Sequence, residues 1–170
     1  MAGGAEAGAA VVLLQPGLAR GRVAASERGL PLIWRAGAAE ASSAAITQTT
    51  FTWNGLTYRP FAPSRLSAAP RDDGGVDLAW IRRTRLHGDG WEGEEAPLGE
   101  ERESYRVDVL AGDGATVLRI ADVDGPSFTY VAAAMAEDFP AGAPASLIVR
   151  VRQRSAVFGL GSALQQTLWL

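Results

Sequence analysis

Apolar and polar residues alternate with a period of two along most of the chain. This alternation is typical of β-strands that bury one face and expose the other. From about residue 60 onward it recurs in short segments separated by turn residues, among them residues 76–80, 105–109, 115–123, 127–131, 147–152 and 165–170. The spacing predicts about seven short strands in roughly 108 residues, which is the pattern of a β-sandwich.

The N-terminal part of the chain is predicted to form a small β-unit over residues 10–60. The Asn54-Gly55 dipeptide near its end is a strong hairpin signal, because both residue types tolerate positive φ. The Gly- and Ala-rich residues 1–9 resemble a linker, and we interpret the chain as a piece of something longer. The strands of the β-unit are expected at residues 10–14, 30–34 and 46–53.

Three prolines, Pro60, Pro63 and Pro70, mark the segment between this unit and the predicted sandwich. Proline fixes φ and restricts the preceding residue to extended conformations, so the segment is predicted to be a stiff, extended connector. We therefore place the domain boundary near Pro60, with the sandwich over residues 61–170. Helical periodicity is scarce, and one short helical turn is expected within residues 128–139. The predicted fold class is all-β.

Composition narrows the classes of function. The net charge of −3 gives no electrostatic footprint for nucleic acid. All sixteen basic residues are arginine. The chain has no cysteine, so disulfides and thiolate metal sites are excluded. No apolar run reaches the roughly 20 residues of a membrane helix, so no membrane insertion is expected. Nothing in the sequence predicts a cofactor.

The stretch from Asp77 to Glu101 changes abruptly from an alternating strand to concentrated charge. Three arginines come where the predicted strand ends, and six acidic residues follow between Glu92 and Glu103. A loop of more than about 20 residues needs to be held in place. Arginine binds carboxylates with paired hydrogen bonds and could do so here. We predict that Arg–Glu pairs, with Trp91 over an arginine, fold this loop onto the sheet edge. The candidate interaction residues are Arg82, Arg83, Arg85, Trp91, Glu92, Glu100, Glu101 and Glu103.

The same loop has alternative interpretations. It could form an interface with a partner protein. Glu92 and Glu95 could act as a glycosidase pair, which needs carboxylates about 5–10 Å apart, but no other part of such a site is recognisable. Asp89, Glu92 and Glu94 could offer oxygen ligands to Ca²⁺, although their spacing matches no standard loop. His87, the only histidine, has no strained serine nearby to activate.

Two further features have structural interpretations. The Gly-rich residues 159–163 precede a strand rather than a helix, so they are interpreted as a hairpin turn and not as a phosphate-binding loop. The aromatic residues alternate with polar ones and are expected to pack in the core or between the units, the alternative being an exposed face that stacks on sugars. These aromatic residues are Trp34, Trp53, Tyr58, Phe61, Phe128, Tyr130, Phe158 and Trp169.

Several stretches of the second unit resemble a fibronectin type III domain. PSRLSA is followed by VDLAW, YRVDVL and LIVRVRQRSAVFGLGSA. In that family the first strand follows a proline, the second carries a core tryptophan, and the next-to-last runs into a G-x-G-x-x-S turn. Trp80 matches the tryptophan, and Gly159 and Gly161 match the turn loosely. Leu147 stands where the tyrosine of the tyrosine corner would be.

The stretches RPFAPSRLSA, VDLAWIRRTR and GDGWEGEEAPLGEERESYRVDVL also resemble the C-terminal region of the large tail-tip proteins of gene transfer agents and related siphophages. The stretches VVLLQPG, GLPLIWRAG and LTYRPFAP resemble the region that precedes it, so the resemblance covers nearly the whole chain. The residues that match this pattern are Trp80, Arg82, Arg83, Thr84, Arg85, Asp89, Trp91, Glu92, Pro97, Leu98, Gly99, Glu100, Glu101, Glu103 and Tyr105.

This resemblance implies a structural and adsorption role in the tail tip or baseplate of a virion-like particle, made in the cytoplasm and released by lysis. It implies a homotrimeric arrangement in the particle, contacts with other tail-tip or baseplate proteins, and contact with a host-surface glycan or protein. We therefore expect a structural component that is not an enzyme. The alternative is an accessory carbohydrate- or protein-binding module of a larger secreted protein, which would be monomeric.

Overall fold

The computed structural model describes residues 22–36, 46–86 and 97–170. The chain divides into two compact units, Met1–Asn54 and Gly55–Leu170. The prolines predict that residues 55–60 belong to the N-terminal unit, whereas the structure groups them with the sandwich.

The described part of the N-terminal unit is a two-stranded antiparallel sheet preceded by a 3₁₀ turn. Strand β1 is Pro31–Ala36 and strand β2 is Thr47–Thr52, in agreement with the strands predicted at residues 30–34 and 46–53. The Gly29 amide donates to the carbonyl of Trp53 at 2.9 Å, which ties the end of the 3₁₀ turn to the end of β2. The strand predicted at residues 10–14 lies outside the described residues.

The Asn54-Gly55 dipeptide does not form the hairpin turn that its sequence predicted. Gly55 has a φ of 68°, in the left-handed region, and precedes a 3₁₀ helix over Leu56–Tyr58. Strands β1 and β2 are joined elsewhere, by residues 37–46. The backbone uses the positive φ of this glycine to enter a helical turn and not to close a hairpin.

The described part of the second unit contains seven strands and one short α-helix, α1. Helix α1, Ala132–Asp138, lies between β7 and β8 and matches the predicted helical turn. The strands are β3 (Ser64–Pro70), β4 (Val76–Ile81), β5 (Tyr105–Leu110), β6 (Val117–Val123), β7 (Ser127–Tyr130), β8 (Ser146–Ser155) and β9 (Gly159–Trp169).

These strands form two antiparallel sheets. One sheet has three strands in the order β3-β4-β7, and the other has four strands in the order β6-β5-β8-β9. The predicted all-β fold class, with a fibronectin type III-like sandwich, is confirmed. Among the described residues, no helix is long and apolar enough to cross a membrane.

The core lies between the two sheets and follows the predicted alternation. Every second residue of β4 and of β8 is buried. Trp80 of β4 packs edge-on against Tyr105 of β5, with ring centroids 5.2 Å apart. Leu147 fills the position expected for a tyrosine and is fully buried. The buried core residues are Leu66, Val76, Leu78, Trp80, Tyr105, Val107, Val109, Tyr130, Met135, Leu147, Val149, Val151 and Leu168.

The proline-rich segment is part of the sandwich and not only a connector to it. Residues 64–70, predicted to be extended, form strand β3. The carbonyl of Pro60 accepts a hydrogen bond from the Ser162 amide of β9 at 2.9 Å. A Cβ at Gly161 would lie 2.8 Å from the Cβ of Pro60, so only glycine lets the two backbones approach this closely. The Gly-rich segment predicted to be a turn is thus the start of β9, and the turn itself precedes Gly159.

Candidate functional site

The charged loop predicted from the sequence connects β4 to β5. The structure describes residues 82–86 and 97–104 at the two ends of this loop, which together we name the loop base. Trp91 and Glu92, together with the alternative ligands and catalytic groups of residues 87–95, lie outside the described residues. The other six predicted interaction residues all lie in the loop base.

The first contact across the loop base joins Arg85 to Glu100. Arg85 Nε lies 3.0 Å from Glu100 Oε1, and the two side chains are only 16% and 5% exposed. Arg85 Nη2 also donates to the carbonyl of Gly99 at 2.9 Å. The guanidinium lies 5.7 Å from the ring centroid of Tyr58, within cation–π range. Gly99 has a φ of +73°, a conformation that favours glycine next to the arginine.

The second contact joins Arg82, Glu103 and the core. Arg82 Nε lies 3.8 Å from Glu103 Oε1. The Tyr105 hydroxyl donates to the same Glu103 oxygen at 2.7 Å. Burial raises the pKa of Tyr105, and the hydrogen bond to Glu103 raises it further, so the hydroxyl stays protonated and continues to donate. Glu103 therefore connects the loop base to a side chain of the sandwich core.

The remaining predicted residues have different surroundings. The Arg83 guanidinium lies 5.2 Å from the Phe61 ring centroid, so its aromatic partner comes from the segment before β3. Arg59 lies 6.0 Å from the Phe158 centroid at the β8–β9 turn. Glu101 is exposed, and it lines a small cavity of about 80 Å³ together with Arg102, Ser104, Arg154 and Ala156. The predicted stacking of Trp91 over an arginine involves a residue outside the described part of the chain.

The geometry of the loop base favours a role in holding the loop ends in place over a catalytic role. The oxygens of Glu100 and Glu103 contact arginine and tyrosine donors, so both acids have a structural role. Among the described residues, no group of three histidine, aspartate or glutamate side chains could hold a metal ion. Each of the two ion pairs joins one end of the loop to the other. Together they fix where the loop leaves and re-enters the sheet.

A second charged cluster, which the sequence analysis did not single out, lies on the outer face of the four-stranded sheet. Asp108 of β5 is 0% exposed and contacts three arginines. Its Oδ1 lies 2.7 Å from Arg106 Nε, and its Oδ2 lies 2.9 Å from Arg150 Nε and 2.6 Å from Arg152 Nη2. Burial alone would raise the pKa of Asp108, but the three arginine hydrogen bonds outweigh burial and lower it.

This second cluster left a partial signal in the sequence. The alternation on β5 and β8 already puts Arg106, Asp108, Arg150 and Arg152 on the face opposite the core. Pairing of β5 with β8, which places Asp108 opposite Arg150 and Arg106 opposite Arg152, then brings them together. The alternation was readable from the sequence, and the strand register was not.

The N-terminal unit has an open aromatic groove of about 590 Å³. It is lined by Val23, Trp34, Thr49, Thr50, Phe51 and Trp53. Trp34 and Trp53 belong to the aromatic set for which sugar stacking was the alternative interpretation. The groove combines rings with threonine hydroxyls, which is the composition of a site for a small polar ligand.

No model of a protein family and no curated protein matches the chain. Solved structures that are similar in fold include a crystal structure of titin domains, with 18% identity and a TM-score of 0.43 over 72% of this chain and 35% of that one. Domains d3–d4 of the rat CD45 extracellular region have 9% identity and a TM-score of 0.43 over 100% of this chain and 80% of that one. The FN5 domain of Drosophila Lar has 14% identity and a TM-score of 0.35 over 65% and 98%.

The chain spans about a third of the length of the titin structure, 35%. At identities of 9–18% and TM-scores of 0.35–0.43, these likenesses do not indicate a function. Function is therefore argued below from the residues and their geometry.

Proposed function

We propose that the chain is a structural, non-catalytic module that presents the β4–β5 loop to protein partners in the tail tip or baseplate of a phage-like particle. The observation that carries this proposal is the loop base. Its Arg85–Glu100 ion pair is nearly buried, and its Glu103 is bonded to a core tyrosine. These contacts fix the two described ends of the loop on the sandwich, which is the support that a binding loop requires.

The placement in a tail tip is supported by the residues that resemble that family. Five of them, Arg82, Arg85, Glu100, Glu103 and Tyr105, make the ion pairs and the hydrogen bond of the loop base. A motif whose members hold the two ends of a loop in place suits a structural scaffold better than a catalytic site. In this proposal the chain lies in the particle tail, in a homotrimeric arrangement with other tail-tip or baseplate proteins, and it contributes to contact with the host surface.

The test is to isolate tailed particles from the source cells and examine them by cryo-electron microscopy and peptide mass spectrometry. We expect peptides of this chain to sediment with the particles, and density for the sandwich in three copies around the tail axis. Particles from cells that lack the gene serve as the control and should lack this density. Recovery of the chain only outside the particle fraction would overturn the placement.

A matched pair of variants tests the loop separately from the placement. Glu100→Gln removes the buried ion pair of the loop base, whereas Glu101→Gln changes the exposed neighbouring acid. We expect Glu100→Gln alone to reduce incorporation into particles. Equal incorporation of both variants at wild-type level would show that the loop base does not determine assembly.

An accessory binding module is the second candidate, favoured by the aromatic groove of the N-terminal unit. A module of this kind would be monomeric and would bind a soluble glycan through Trp34 and Phe51. Sedimentation equilibrium of the isolated chain and a glycan-array screen with a Phe51→Ala control would test it. Specific glycan binding that is lost in Phe51→Ala would favour this candidate.

A further inference from the structure

The outer face of the four-stranded sheet carries a cationic patch, which we define as Arg106, Asp108, Arg150 and Arg152. The three arginine side chains are 26%, 23% and 22% exposed, so each is held in place yet reaches solvent. The patch belongs to β5 and β8 and shares no residue with the loop base. An inference about it is therefore independent of the proposed role of the loop.

The charges of the patch do not balance. Three arginines and one aspartate give the patch a net charge of +2, on a chain whose net charge is −3. Arg106 and Arg152 are direct partners across β5 and β8, where like charges destabilise the pairing. Asp122 of β6 lies opposite Arg106 but pairs with Arg154 at 2.9 Å, so a further carboxylate supplied from outside would offset this repulsion.

The arginines retain donors for such a ligand. Arg106 and Arg150 both reach Asp108 through Nε, so that contact leaves their η nitrogens unused. Guanidinium groups bind carboxylates with strong, charge-assisted hydrogen bonds. The contacts with Asp108 show within the protein itself that this arrangement of arginines suits a carboxylate.

We propose that the cationic patch binds an extended acidic segment of a partner protein. Arg150 and Arg152 occupy alternate positions on one strand, and Arg154, which already pairs with Asp122 at 2.9 Å, continues the row. Alternate side chains of an extended peptide are about 6.7 Å apart, the same repeat as in the strand, so glutamates at every second position meet the arginines in register.

The neighbours of the patch favour a peptide over a polysaccharide. Sugar recognition commonly uses a stacking aromatic ring, and strand register places none beside the four patch residues. Their partners in β6 and β9 are Ile120 opposite Asp108, Asp122 opposite Arg106, Gln165 opposite Arg150 and Ala163 opposite Arg152. The ligand is thus recognised by charge and spacing on the outer face of the sheet.

The test compares two synthetic peptides of equal composition in fluorescence anisotropy. One alternates glutamate with threonine, and the other carries the same glutamates in a single block. We expect the alternating peptide to bind about tenfold more tightly, because it aligns two or three more ion pairs with the row. Equal binding of the two peptides, or tighter binding of a polyuronate chain than of either, would overturn the proposal.

Variants of the full chain locate the site. Arg150→Gln with Arg152→Gln should weaken binding of the alternating peptide about tenfold. Arg65→Gln with Arg71→Gln removes the same charge from the other side of the sandwich and should change binding less than about twofold. Asp108→Asn removes the internal competitor for the arginines and should tighten binding roughly threefold.

Direct observation of the wild-type arginines keeps the test independent of variant stability. In NMR spectra of the wild-type chain, the Nε–Hε resonances of Arg106 and Arg150 should shift as the alternating peptide is added, while that of Arg71 should not. If these resonances stay unchanged at saturating peptide, the patch is not the binding site.

Discussion

Arginine makes ion pairs of very different burial in this protein, and burial decides what each pair contributes. Arg71 contacts Asp73 at 3.0 Å, but the two side chains are 39% and 55% exposed. Pairs of this kind contribute little, because water and salt screen them. The Arg85–Glu100 pair has the same 3.0 Å separation with both groups nearly buried. Removing one partner there leaves the other charge poorly solvated, which is costly.

We therefore expect Glu100→Gln to destabilise the chain by about 2 kcal/mol, between the values for exposed and fully buried pairs. The replacement keeps the shape of the side chain, so the loss reports the charge. The free energy of unfolding from urea titration measures it. Glu101→Gln, at an exposed position next in the chain, should stay within about 0.5 kcal/mol of wild type, and equal losses would contradict the argument.

Asp108 predicts a particular dependence of stability on pH. Its pKa is lowered on folding, because the hydrogen bonds from three arginines outweigh the opposing effect of burial. A carboxyl with a lowered folded-state pKa stabilises the fold above its unfolded pKa of about 3.9, and this contribution is lost as the pH falls below that value. Between pH 5 and pH 2, the urea stability of Asp108→Asn should therefore fall less steeply than that of wild type. Parallel curves would show that Asp108 does not contribute.

At the residue level, the sequence predicted that arginine would pair with glutamate. It did not predict which arginine pairs with which glutamate. It indicated that arginines near β4 would pair with glutamates of the same loop, and Arg85 and Arg82 do so with Glu100 and Glu103. Which arginine meets which acid depends on the backbone path of the loop, which alternation does not encode. Asp108 was missed for a related reason, because two of its three arginine partners come from β8, more than 40 residues later in sequence.

At the level of elements, alternation predicted β4 to β8 and the end of β9, and one short apolar turn predicted α1. It did not predict β3, which was interpreted as a connector, or the start of β9, which was interpreted as a turn. The sequence did not show what fixes α1 between β7 and β8. Asp138 at the end of α1 accepts from the Tyr130 hydroxyl at 2.6 Å and from Arg119 Nε at 2.6 Å. These contacts join β7, β6 and the helix. With leucine at the tyrosine-corner position, Tyr130 provides a different tyrosine hydroxyl contact near the same connection.

Tyr130→Phe should lower stability by about 1.5 kcal/mol, because it removes a hydrogen bond to a nearly buried carboxylate. The loss should be local, so amide hydrogen exchange of α1 should accelerate most. Tyr105→Phe is the matched control, since it also removes a hydroxyl donor to a carboxylate, at the loop base. If the exchange of α1 rises equally in both variants, the Tyr130–Asp138 contact does not hold the helix.

At the scale of the whole molecule, the sequence predicted two units, and the structure divides the chain at a different residue. The prolines suggested a boundary near Pro60 because they interrupt regular hydrogen bonding. Yet Tyr58 lies under Arg85, and Pro60 accepts a bond from Ser162. These are contacts between residues far apart in sequence, so a local proline signal carries no information about them.

The stability of a series of N-terminally truncated chains tests where the sandwich begins. Residues 55–170 contain the complete core and the segment that contacts β9, whereas residues 61–170, the predicted sandwich, lack the contacts of Tyr58, Arg59 and Pro60. We expect the shorter chain to be less stable by about 2 kcal/mol, the sum of one hydrogen bond and two partly exposed cation–π contacts. A chain of residues 59–170, which loses only the Tyr58 contact among these three, should be intermediate. Equal urea midpoints for all three chains would show that residues 55–60 are a connector after all, as the prolines alone suggest.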